Sequence, residues 1–290
     1  MTAAQHDLGQ RSFVKLFDSV CNWNQKWERW QDMVNLFAIS IASATDRVHA
    51  KERLIHYEHI REKYSLHEFA KFDELFDLLV ENLEANPRQD FLGKTYMELE
   101  LGSHWHGQFF TPYNLCAMMA KIALDDKVLH RIDKKGWIAA NDPACGGGAT
   151  LIGLTDAMRE KGINYQQRVL FVGQGLDSVA AMMCYVQLSL LGCAGYVHVG
   201  NTLTAPLTGS TLMPDGGSDT WYMPMYFCEP WASRVLFHMM INGTNNNKLS
   251  DSKLEKPHQE NKVVINNAKP RDKRERPKNL GRQSQISFFD

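Results

Sequence analysis

The sequence predicts an α/β protein, with a parallel sheet behind an all-α N-terminal region. Three observations carry this. First, residues 138–152 read as a short buried strand, a glycine-rich turn opened by Asp142, and the start of a helix running to about Lys161. A strand delivered into a glycine turn points backbone N–H groups at a crevice that no Cβ blocks, as nucleotide-type pockets require. Second, two more short apolar runs, residues 169–173 and 196–199, flank a helix-length segment, residues 178–191, read as amphipathic. Third, residues 11–100 carry apolar stripes at helical spacing.

In chain order, Phe13, Leu16, Phe17 and Val20 form the first stripe, and Trp23, Trp27 and Trp30 lead at helical spacing into residues 33–44. Residues 46–64 make a charged helix. Residues 66–83 place Phe69, Phe72, Leu75, Phe76, Leu79 and Leu83 on one face and end at Asn86-Pro87. Aromatic side chains repeating at this spacing predict core packing rather than a base-stacking surface. His56 and His59 lie one turn apart with no third ligand nearby, so they read as a solvated face and no metal site is predicted. At 44% hydrophobic and 22% charged, with net charge −1, the 290 residues suit a soluble chain. No apolar run reaches the roughly 18 residues of a membrane span. The start of the chain lacks a basic-then-apolar signal pattern, which predicts a cytoplasmic protein. Six cysteines without a C-x-x-C pair read as reduced packing residues.

The glycine turn excludes some ligands. Leu151 stands where a pyrophosphate fingerprint needs its third glycine, and no Gly-Lys-Ser/Thr run follows. An acid at the strand end, Asp142, suits a ligand carrying an ammonium group instead. The run D-P-A-C-G-G-G-A at 142–149 resembles the D-P-A-C-G-S-G segment of adenine-N6 DNA methyltransferases, especially the modification subunits of type I restriction-modification systems. Upstream, G-Q-F-F-T-P-Y at 107–113 resembles that family's G-Q-F/Y-F-T-P element. The resemblance implies a Rossmann-like S-adenosylmethionine-dependent methyltransferase sheet, here shortened. It also implies S-adenosylmethionine as cofactor, contacted by Phe110, Thr111, Pro112, Asp142, Cys145, Gly146 and Gly148. At the end of the second strand the family's Gly-Gln-Glu pattern falls on Gly173, Gln174 and Gly175, so the ribose-binding acid is missing. Asp177 either substitutes for it or caps the following helix. Asn201, after the third strand, either contacts the cofactor adenine or serves a turn.

In the same family an N/D/S-P-P-Y/F/W motif ends a fourth strand, accepts the N–H bonds of the target amine and stacks on a flipped-out base. The nearest match is Cys228, Glu229, Pro230 and Trp231 after residues 223–227; a second candidate is residues 221–224. Both depart from the motif. Beyond Asn242 the chain turns polar and predicts disorder. That stretch holds a run with seven basic and two acidic residues at 269–282. It ends in Gln285, Ile286, Phe288 and Phe289, which resemble a sliding-clamp-docking peptide. The expected divisions are a helical domain at 1–100, a methyltransferase-like domain at 101–241 and a tail at 242–290. DNA is the expected partner, with a separate specificity subunit and the bacterial clamp as further ones. The expected function is adenine-N6 DNA methylation. The alternative is a catalytically degenerate relative that binds DNA or the clamp.

Overall fold

A computed structural model describes residues 3–101 and 110–251, without the side chains of 3–7 and 242–251. Gly107, Gln108 and Phe109, the basic run and the clamp-like residues 285–289 lie outside the described residues. One compact unit reaches Val235, and the described residues from Leu236 onward belong to a second.

The first unit opens with five helices: α1 (Ala3–Asp18), α2 (Lys26–Ser43), α3 (Ala50–Arg61), α4 (Leu66–Ala85) and α5 (Phe91–Glu98). The stripes predicted from spacing bury Phe13, Phe17, Trp30, Phe72 and Leu79. α4 starts in a reciprocal box, Ser65 with Glu68, that satisfies two otherwise orphaned donors. Two local expectations change. Trp23 lies in the loop before α2, exposed, with its Nε1–H donating to Glu68 at 3.2 Å. Residues 46–49 are not helical, because the Asp46 carboxylate accepts the N–H groups of Val48 and His49 and competes with helix formation.

Then follow α6 (Tyr113–Ala123), α7 (Asp126–Lys135), β1 (Ile138–Asp142), α8 (Ala149–Glu160), α9 (Tyr165–Arg168), β2 (Val169–Gly175), α10 (Ser178–Leu190) and β3 (Ala194–Val199). The short strands β4 (Gly209–Ser210) and β5 (Met213–Pro214) make a hairpin, β6 (Thr220–Tyr222) joins the main sheet, and α11 (Trp231–Asp251) follows. The sheet order is β1-β2-β3-β6. β1, β2 and β3 are parallel, with Asp142 beside Gly173 and Gly175 beside Val199.

The fourth strand departs from expectation. Residues 224–227 form a 3₁₀ turn, and β6 lies antiparallel to β3, pairing Tyr196 with Tyr222 and His198 with Thr220. α10 is buried from Val179 to Leu188 rather than amphipathic, because one side meets the sheet and the other meets α2, where the Trp30 Nε1–H lies 3.4 Å from the Met183 sulfur. A single cluster of buried side chains runs from Phe13 to Met223, so the first five helices and one face of the sheet share a core. The other face carries a smaller cluster of Ala139, Leu170, Val172, Tyr196, Leu212, Tyr226 and Trp231. α11 continues past Asn242 to Asp251 where disorder was expected; once nucleated, a helix adds one hydrogen bond for each residue fixed. Among the described residues no helix is long and apolar enough to cross a membrane.

Candidate functional site

Parallel strands put their C-terminal ends on one edge, and β1 delivers Asp142 there into the turn before α8. The turn is anchored from behind: the Cys145 N–H donates to the Gln174 carbonyl at 3.0 Å, and the Gly148 N–H donates to the Cys145 carbonyl at 2.8 Å. Gly146 and Gly148 have φ of 50° and 95°, where side chains are strained. At Gly148 space forbids a side chain as well, since a Cβ would stand 2.9 Å from the Cys184 sulfur.

Asp142 is buried, and its Oδ1 accepts the Ala144 N–H at 3.0 Å. Burial raises its pKa against the hydrogen bonds from Ala144 and the Thr150 hydroxyl. No lysine or arginine among the described residues pairs with it. A buried carboxylate of this kind fits a cationic ligand group. S-adenosylmethionine carries such a group in its methionine ammonium, so this half of the site fits that cofactor.

Phe110 packs on the same turn: its ring lies 3.3 Å from where a Gly146 Cβ would stand, and 5.2 Å from the Tyr96 centroid. Thr111 and Pro112 are exposed at the start of α6, with the Thr111 carbonyl near the Cys116 thiol. Cys145 is buried with its sulfur beside Gly173 and Gly175, a packing position. Asp177 caps α10 by accepting the Ala180 N–H at 2.7 Å. Asn201 closes a turn by accepting the Leu203 N–H at 2.9 Å, and its neighbour Thr202 donates to the Pro143 carbonyl at 2.6 Å. Asp142, Cys145, Gly146, Gly148 and Phe110 are therefore brought together, with Asn201 tied alongside through Thr202. Gly175 leaves the end of β2 without an acid, although a Cβ there would meet Cys145 only at ordinary contact distance, 3.4 Å.

The Cys228–Trp231 expectation is not met by this geometry. Because β6 runs antiparallel, the chain leaves it toward the opposite edge of the sheet. Trp231 is fully buried there, its Nε1–H donating to the Gln166 carbonyl just before β2 at 2.6 Å and its ring edge-on to Trp137. Such a ring has no face to offer a base. Cys228 and Glu229 are exposed, and Glu229 accepts from the Ser233 hydroxyl at 2.7 Å. The alternative residue Trp221 is engaged by Arg53, whose guanidinium carbon lies 3.8 Å from the ring centroid.

Two residues absent from the sequence-derived site support the turn. Gln187 donates through Nε2 to the Gly147 carbonyl at 2.9 Å and to Asp90 at 2.8 Å, while its Oε1 accepts the Leu92 N–H. Asp90 also caps α5 through the Gly93 N–H. A lone glutamine inside the apolar run of α10 was the available signal; its partner lies 97 positions away.

Sheet, turn and acid together make an α/β domain whose parallel strands end beside a glycine turn and a buried acid. Residues 90–221, a little under half of the chain, match the family model of N-6 DNA Methylase. Similar solved structures include a Listeria monocytogenes protein assigned as a class I S-adenosylmethionine-dependent methyltransferase, with 16% identity, TM-score 0.38, and coverage of 71% of this chain and 57% of that one. Another is the type I restriction-modification system methyltransferase subunit from Streptococcus thermophilus, with 15% identity, TM-score 0.38, and coverage of 72% and 61%. The chain thus spans less than two thirds of either structure's length. No curated protein matches it.

Proposed function

We propose that the chain acts in adenine-N6 methylation of DNA in a bacterial restriction-modification setting, in the cytoplasm and alongside a separate specificity subunit. The observation that carries the reading is Asp142, a buried acid without a cationic partner among the described residues, at the mouth of a glycine turn. When bound, S-adenosylmethionine supplies a methyl group on an electrophilic sulfonium. The chain's own residues do the holding. Asp142 pairs with the ammonium, and Phe110 closes the turn over Gly146. Asn201 offers its remaining amide N–H groups to the adenine edge. Asp177, with one carboxylate oxygen engaged in capping, keeps the other for a ribose hydroxyl.

Calorimetric titration of S-adenosylmethionine, with Asp142→Ala as control, tests the pocket. Transfer of labelled methyl to unmethylated DNA tests the reaction. Binding in the micromolar range, lost in the control, together with label on adenine is the expected result. A second reading, a relative that binds DNA without methylating it, is favoured by Gly175 and by the burial of Trp231 away from the turn. Cofactor binding with no transfer to any DNA would select it.

A further inference from the structure

The aromatic face of α4 is not wholly spent on packing. Phe69, Phe72, Asp73, Phe76 and Asp77 recur three and four positions apart, so all five stand on one side of the helix. Between that side, α2 and α3 lies a cavity of about 190 Å³, to which α2 contributes Phe37 and Ser40 and α3 contributes Tyr57. Phe37 and Phe72 are buried, whereas Tyr57, Phe69 and Phe76 are half-buried, so the rings run from the core out to solvent. Neighbouring rings are crossed rather than stacked: Phe37 lies at 64° to Phe76 and Tyr57 at 81° to Phe69, with centroids 5.0 and 6.0 Å apart. Sites for drug-sized ligands run to roughly 300–1,000 Å³, so this cavity suits a compact head group.

The charged groups that line it are both acids. Asp73 and Asp77, one helical turn apart, are exposed, and no lysine or arginine among the described residues forms an ion pair with either. Along α4 six acids stand against one lysine, Lys71, which donates to the Ser19 carbonyl instead. On α3, Arg61 is held by Glu58 at 2.6 Å. The face of an aromatic ring is the negative pole of its quadrupole and attracts cations, alkylated ammonium groups above all. A bare ammonium is strongly hydrated and does not shed its water readily. An alkylated one brings methyl groups to the rings and a positive charge to the carboxylates. A neutral apolar molecule would leave the acids unused, and an anion would be repelled by them.

We propose that this cavity binds the alkylated ammonium group of a small molecule, with the rings as its walls and Asp73 and Asp77 as its counter-charge. The site does not depend on the cofactor reading, because none of α2, α3 and α4 carries the glycine turn. The test is calorimetric titration of choline into the full chain, beside its neutral isostere, in which a carbon replaces the quaternary nitrogen. Saturable choline binding is expected, about tenfold or more tighter than that of the isostere and unchanged by saturating S-adenosylhomocysteine. It should weaken about tenfold in the paired variant Asp73→Asn/Asp77→Asn, whose exposed positions leave the fold intact. It should vanish in Ser40→Trp, which fills the cavity from its exposed wall. Absence of choline binding, equal binding of the isostere, displacement by S-adenosylhomocysteine, or unchanged affinity in either variant overturns the proposal.

Discussion

Two buried acids, Asp46 and Asp142, sit in regions built on opposite principles. Asp46 is fully served: Arg53 Nη1 lies 2.7 Å and His49 Nδ1 3.0 Å from the same carboxylate oxygen. Arg53 in turn donates to the Thr220 carbonyl at 3.1 Å and lies over Trp221, fastening α3 to the edge strand β6. Burial alone pushes the Asp46 pKa up, but the hydrogen bond from His49 and the charge of Arg53 outweigh it and hold the group below the ordinary carboxylate value. At Asp142 burial wins and the pKa is raised. The first region has spent its charge on its own fold, while the second keeps a charge for a partner from outside. A similar contrast separates the two edges of the sheet, one filled by Trp231 and Trp137, the other opened by glycines.

The largest effect falls on the filled edge. Trp231→Ala should cost about 3–5 kcal/mol in urea unfolding, while calorimetry on the remaining folded protein shows S-adenosylmethionine affinity within twofold of wild type. A large loss of affinity would put Trp231 back in the site. Next, Arg53→Ala leaves Asp46 buried beside His49 alone and should destabilise by about 3 kcal/mol; a change below about 1 kcal/mol would mean the pair is no better than a surface ion pair.

Asp142→Asn reverses that pattern. It removes a buried charge but keeps an acceptor for Ala144, so stability should hold or rise, and cofactor affinity should fall about a hundredfold, close to 2.7 kcal/mol. Gly175→Glu puts an acid at the end of β2, which has none, and should tighten cofactor binding about fivefold to tenfold. No gain would mean that Asp177 already fills the role.

The smallest effect is in pH dependence, and its signs are opposite for the two acids. Asp46 titrates lower in the folded than in the unfolded chain, so its contribution is present above the unfolded pKa and disappears as pH falls through the folded one. Asp142 titrates higher when folded, so the native state keeps its proton longer and stability declines as pH rises from the unfolded to the folded pKa. Unfolding midpoints followed through the acid range should lose the first slope in Asp46→Asn and the second in Asp142→Asn.

By itself the sequence determined what local pattern and backbone geometry control. Helical spacing set the buried faces of α1, α2 and α4; short apolar runs marked β1, β2 and β3. The glycines at 146 and 148, beside Asp142, marked the turn, because few other residue sets allow positive φ next to a buried acid. Tertiary structure alone decided the rest. Strand direction is invisible in a three-residue segment such as β6, yet it sends residues 228–231 to the far edge and turns an expected stacking ring into core. Burial of α10 on all sides followed from α2 covering it, which no periodicity within α10 could announce. The Asp90–Gln187–Gly147 support exists only where segments distant in sequence meet. Hydrogen bonds are satisfied or left open in three dimensions, and spacing along a chain records only those made within a few residues.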